Sequence, residues 1–254
     1  MPEQLILRCE DSLDGILTAL FDAFVYKNRM ERYEDQISIA IGEGGSLSLF
    51  ADEVSVKTNW EKAQKTVYAI QNKLGYSVYH TVFYALCHFD EERGSVVLGY
   101  LVRAFATGSR IREYLADPYV MRVMELSRKV GNECQKLYGF LRFRQTGEVL
   151  YAEAEPKCDA LPVMMEHFSD RYPNEHFIIY DKKREYALVH PRYGECFFVS
   201  GVALPEQLAA DEDEFEILWK QYFQSMEITE RKNERCQNTL LPKWYRKTML
   251  EFRS

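Results

Sequence analysis

Two stretches of this chain combine side chains that suit a polyanion. The last 24 residues, "RKNERCQNTLLPKWYRKTMLEFRS", hold seven basic groups against two acidic ones, a charge of +5. The whole chain carries −7, which leaves −12 on the first 230 residues. Within the tail, Trp244 and Tyr245 sit among Lys243, Arg246 and Lys247. Such interleaving gives a charged track for phosphates with rings on which bases stack. It equally suits a segment pinned to its domain by Leu240, Leu241, Trp244 and Tyr245, with the charges solvated. The second stretch is "YGFLRFR" (138–144). Read as a strand, it puts Tyr138, Phe140, Arg142 and Arg144 on one face and Gly139, Leu141 and Phe143 on the other. The first face pairs rings with guanidinium groups, again fit for bases and phosphates. A sheet edge with solvated arginines and half-buried rings reads the same way.

Candidates for acid–base chemistry are fewer. In "AEAEP", Glu153 and Glu155 would share a strand face with carboxylates about 6–7 Å apart. Neighbouring carboxylates can split their pKa values and divide acid and base roles. Glu155 could instead orient Arg142 across a hairpin, or the pair could be ordinary surface acids. Asp159 is the other carboxylate considered for catalysis. Among the five histidines, His80 and His88 are eight apart and no HExxH occurs. The cysteines (Cys9, Cys87, Cys134, Cys158, Cys196, Cys236) form no CxxC pair, so neither a metal site nor a redox dithiol is expected. "GEGGS" (42–46) lacks the phosphate-loop lysine and the GxGxxG spacing and reads as a hairpin turn. No cofactor is expected.

The elements that must position these residues follow from periodicity. "QLILRCE" reads as a strand, and residues 11–28 as a helix capped by Asp11 or Ser12 with apolar Leu13, Ile16, Leu17, Leu20, Phe21 and Phe24 on one face. A short strand, "DQISIAIGE", and an irregular connection through "LSLFADEVSVKT" come next. From Asn59 to Gln135 the period is helical: a helix from an Asn59 cap to Gly75, then "SVYHTVFYALCHF", apolar nearly all round and so expected to be buried. Two more helices follow, the second opened by Asp117-Pro118. From Tyr138 a hairpin is expected with its turn at "QTGE", then a helix over "DALPVMMEHFSDRYP", three strands split by "DKKRE" and "PRYGE", and an amphipathic helix over "DEDEFEILWKQYFQSM". The fold class is α+β: a helical middle region plus an antiparallel sheet flanked by helices, which the N-terminal strands could join. Residues 1–254 form a single domain on this reading, with 1–135 and 136–254 as a possible subdivision. The 46% hydrophobic content supports a packed core. The N-terminus has no basic start and no long apolar run, so a cytoplasmic protein without signal peptide or membrane span is expected.

Several stretches resemble the family called domain of unknown function 4130, whose members are described as DNA metabolism or DNA repair proteins. They are "VGNECQKLYGFLRFRQTGE", "YAEAEPKCDAL", "FSDRYPNEHFIIYD", "EFEILWKQYFQSM" and "CQNTLLPKWYRKTMLEF". The likeness covers roughly residues 120–254 well and the N-terminal helices loosely. By it, Phe140, Arg142, Phe143, Arg144, Glu155, Pro156, Asp159, Arg171, Trp219, Tyr222, Pro242, Lys243 and Tyr245 fall on the family pattern. Gln135, Tyr138 and Cys158 stand where histidines are common. The resemblance also implies a partner, a radical S-adenosylmethionine protein that modifies or repairs DNA, which would hold the iron–sulfur cluster itself.

The function expected is that of an accessory protein in DNA metabolism or repair. It would bind DNA or that radical partner through Tyr138, Phe140, Arg142, Arg144, Lys243, Trp244, Tyr245, Arg246 and Lys247. The alternatives are a glycosylase-like enzyme using Glu155 or Asp159 on a flipped base, and a pure protein-interaction module.

Overall fold

The structure, a computed structural model, describes residues 4–30, 36–42, 51–201, 241–249 and 252. The expected helix over 211–226, with Trp219 and Tyr222, lies outside the described residues. So do Gly44 and Gly45, and the tail cations Arg231, Lys232, Arg235 and Arg253. Contacts divide the chain into two units, Met1–Gly131 and Asn132–Ser254. The α+β class holds: helices accompany two separate sheets.

In the first unit, β1 (Gln4–Cys9) is the middle of a three-stranded sheet. Its alternate residues Leu5, Leu7 and Cys9 are buried. β2 (Ile37–Ile41) and β3 (Ala51–Ser55) flank it, both parallel to β1. A parallel neighbour needs a crossover, and α1 (Leu13–Met30) supplies it between β1 and β2. Ser12 opens α1, its Oγ accepting the Gly15 N–H at 3.0 Å. A side chain at Gly15 would meet the Glu10 carbonyl at 2.6 Å. β2 and β3 run the same way on opposite sides of β1, so they do not pair as the arms of a hairpin; residues 43–46 of the turn expected at 42–46 lie outside the described residues. Residues 51–55, expected within an irregular connection, are strand.

α2 (Trp60–Leu74) starts where expected: Asn59 Oδ1 accepts the Lys62 N–H at 3.0 Å, and Gly75, at φ 86°, ends the helix. α3 (Tyr76–Leu86) is not buried all round. Val78, Thr81, Val82, Ala85 and Leu86 face the core. Tyr76, Tyr79, His80, Phe83 and Tyr84 instead make ring contacts with one another along its other side, stacked in the pairs Tyr79–Phe83 and His80–Tyr84. Rings three and four apart on a helix meet in this way, so apolar residues around the circumference do not require burial. α4 (Arg93–Thr107) leads through a 3-10 turn, Ser109–Glu113, to α5 (Pro118–Phe140). Asp117 Oδ1 accepts the N–H groups of Tyr119 (2.9 Å) and Val120 (3.3 Å), the cap expected from Asp-Pro.

α5 runs to Phe140, so Tyr138 and Phe140 are helical and the strand face drawn through 138–144 does not exist. The buried residues Val130, Cys134, Leu137 and Leu141 show why. They recur at helical spacing, and that stripe overrides the seven-residue alternation of rings and arginines over 138–144. In the second unit, β4 (Arg144–Thr146) and β5 (Val149–Ala154) form the expected hairpin, with Gly147 at φ 61° in its two-residue turn. α6 (Leu161–Arg171) then carries the chain to β6 (His176–Asp181), which lies parallel to β5. β7 (Tyr186–His190) and β8 (Phe197–Ser200) add on antiparallel, giving the order β4-β5-β6-β7-β8. The sheet is thus antiparallel except at β5–β6, and the N-terminal strands form their own sheet. Phe143 is half-buried, its ring edge-on to Phe168, Tyr172 and Phe177. A last short helix, α7 (Lys243–Arg246), belongs to the tail.

Candidate functional site

The parallel β5–β6 pair brings two connections together in the second unit. One is the loop from Glu155 to Ala160 that enters α6; the other is the β6–β7 turn. The Lys182 N–H donates to the Ala154 carbonyl at 2.9 Å. The loop is held from three directions. From α5, Glu133 (6% exposed) accepts the N–H of Lys157 on one oxygen and that of Cys158 on the other, both at 2.9 Å. Bonds from amides to a carboxylate are stronger than neutral ones. From the β6–β7 turn, Arg184 donates to the carbonyls of Pro156 (3.3 Å) and Lys157 (2.8 Å). Arg184 is itself fixed by the buried Asp181 at 2.9 Å. The other Asp181 oxygen accepts the N–H groups of Lys183 and Arg184 and shapes the turn.

The tail holds the third side. Trp244 Nε1 donates to the Glu155 carbonyl at 2.9 Å, and Lys247 Nζ meets Glu155 Oε2 at 2.7 Å. Tyr245 is buried, with its ring 6.0 Å from that of Phe140 and the Lys136 ammonium 5.3 Å from its centre. Burial pushes its phenol up. Thr248 Oγ1 bonds the carbonyls of Tyr245 (2.7 Å) and Phe140 (3.3 Å), and Met249 is buried. The tail is therefore pinned as well as charged. Trp244 stays 40% exposed, with the ammonium groups of Lys157 and Lys247 at 5.5 and 5.2 Å from its ring. Lys183 Nζ reaches the Lys157 carbonyl at 3.4 Å. Four cations, Lys157, Lys183, Arg184 and Lys247, thus gather around one loop and one half-exposed indole.

The residues singled out from sequence fare unequally. Phe140, Trp244, Tyr245, Lys247 and Glu155 come together. Lys243 is exposed on α7, and the Arg246 guanidinium lies 4.9 Å from the Phe252 ring. Tyr138 stacks on His167 at 3.9 Å and its hydroxyl reaches the Val163 carbonyl at 3.4 Å. Arg142 Nη1 donates to the carbonyls of Gly139 (2.6 Å) and Leu141 (3.3 Å), closing the end of α5. The Arg144 side chain is 12% exposed, 3.9 Å from Glu153 and beside the Tyr151 ring. Glu155 lies beyond the end of β5, so it does not face Glu153. It pairs with Lys247 rather than Arg142. Glu153 binds Tyr151, Arg144 and Lys182. Asp159 accepts the Tyr186 hydroxyl, whose pKa is pushed up by burial and by that carboxylate. Sequence reasoning missed Glu133, Lys157, Lys183 and Arg184. "DKKRE" carried the signal for two of them but was read only as a turn. Among the described residues no cluster of His, Cys, Asp and Glu is placed to hold a metal, and no helix is long and apolar enough to cross a membrane.

Fold and site define an α+β protein whose second unit carries a braced, cationic and aromatic surface. The family described as domain of unknown function DUF4130 matches residues 91–251, more than half of the chain, and the protein belongs to it. No curated protein matches. A solved DHH domain from a member of the s1p family of ribosomal proteins aligns over 74% of each chain, at 9% identity and a TM-score of 0.28. A likeness that low carries no conclusion about fold or function.

Proposed function

We propose that this protein is an accessory factor in DNA metabolism that binds DNA, single strands foremost, through the surface around Trp244. The observation that supports this most is the indole itself. It is half exposed, anchored at its N–H edge, and flanked by Lys157 and Lys247, with Lys183 and Arg184 on the adjoining turn. A fixed ring among cations offers stacking to any base and charge to its phosphates. Glu155 and Asp159, the carboxylates considered for catalysis, are engaged by Lys247 and Tyr186, which favours binding over acid–base work. The radical S-adenosylmethionine protein implied by the family resemblance is a second ligand for this surface, and pull-down in the absence of DNA separates it from the first.

The test is titration of a labelled single-stranded oligonucleotide at several salt concentrations. The wild-type affinity is expected to fall steeply as salt rises. Replacing Lys157→Gln and Lys183→Gln together should flatten the log–log slope by about 1.4, at about 0.7 per lost single-strand phosphate contact. Trp244→Ala should weaken binding by about 1–3 kcal/mol with little change in slope. Binding that ignores salt, or that survives all three changes, would reject the proposal.

A further inference from the structure

Glu155 touches the tail twice, through its backbone and through its side chain. The backbone carbonyl accepts the indole N–H of Trp244, and the carboxylate takes the Lys247 ammonium at 2.7 Å. Both partners of the ion pair remain in contact with solvent, with 58% of the lysine and 32% of the carboxylate side chain exposed. A phosphate approaching the indole therefore finds Lys247 already neutralised. We infer that Glu155 is an internal competitor for phosphate, which limits the affinity of this surface for nucleic acid by holding Lys247 in an ion pair. The inference rests on the nucleic-acid reading above and adds a regulating residue to it.

Counterions leave a nucleic acid when protein cations neutralise its phosphates. Lys247 with Glu155 presents no net charge, so the pair releases almost none. Removing the carboxylate charge leaves one more net positive charge beside Trp244. Glu155→Gln keeps the backbone carbonyl that anchors the indole and nearly keeps the side-chain shape, so the ring stays in place while the competitor is lost.

The experiment compares wild type, E155Q, the double variant E155Q/K247Q and the control E148Q in salt titrations with single-stranded DNA. Glu148 is exposed in the β4–β5 turn. E155Q is expected to steepen the slope by about 0.7 and to tighten binding about two- to fivefold, the range that an exposed ion pair represents. The double variant restores the wild-type net charge at this point and should return to the wild-type slope, and E148Q should not change it. Unlabelled variants are not the only route. In wild-type protein the ¹³C signal of the Glu155 carboxyl carbon should move when DNA is added, as the ion pair opens. A wild type that binds with salt dependence, but an E155Q slope unchanged or a carboxyl signal that stays put, overturns this inference alone. A wild type that shows no salt-dependent binding overturns the nucleic-acid reading instead.

Discussion

Protonation of His88 must break a bond that the fold makes. The imidazole is buried, and its Nδ1 accepts the Asp90 N–H at 3.0 Å, so the neutral ring carries its proton on Nε2. Burial holds its pKa below the ordinary 6.5; Asp90 opposes that, while Lys129, Arg122 and Arg93 add to it. The unfolded chain therefore takes up this proton at a higher pH than the folded one. The contribution to stability is complete above 6.5 and is lost as pH falls through the lower folded value. Thermal melts from neutral to acid pH should show the midpoint of H88N falling less than that of wild type; parallel curves would contradict this. His88 was visible in the sequence only as a histidine without metal spacing, because its environment is made by residues far from it along the chain. The same holds at the proposed binding surface. Trp244, Tyr245 and Lys247 were legible from composition, since rings among cations are unusual. Glu133 was not, since nothing in "GNECQKL" signals a carboxylate that will accept two amides some 25 positions ahead.

Elements with strong end signals were legible. Asn59 and Gly75 bound α2, Asp117-Pro118 opens α5, and Gly147 turns β4 into β5, each by local chemistry that needs no tertiary partner. Two features were not. The end of α5 was hidden by a short alternation that fits either period, and burial of Leu137 and Leu141 decided for the helix. The parallel pairing of β5 with β6 depends on the path of the chain through α6, which a strand pattern does not encode. At this scale, close packing gives a sharp expectation. Gly99 in α4 has the Tyr119 ring so near that a Cβ would lie 2.4 Å from it. G99A should therefore destabilise the first unit by about 1–3 kcal/mol, despite the better helix propensity of alanine. A denaturation midpoint equal to that of wild type would show that the ring moves aside at no cost.

Over the whole molecule, charge is divided along the chain, with −12 on the first 230 residues and +5 on the last 24. A net acidic protein repels polyanions at long range, so the proposed binding has to come from local cation clusters at close approach. The cluster around Trp244 draws on three segments of the second unit: the loop after β5, the β6–β7 turn and the tail. Family membership spans residues 91–251, which contain all three segments. Sequence alone showed one of them as a strong candidate. The other two acquire their part because the parallel strand pair and the pinned tail bring them together.

The most direct test is a residue-resolved footprint. Backbone amide shifts of the labelled protein, followed as single-stranded DNA is added, should move at Glu155, Lys157, 182–184 and 243–247 and return when salt is raised. Shifts confined to the first unit, or none at DNA concentrations where anisotropy reports binding, would contradict a nucleic-acid surface built around Trp244.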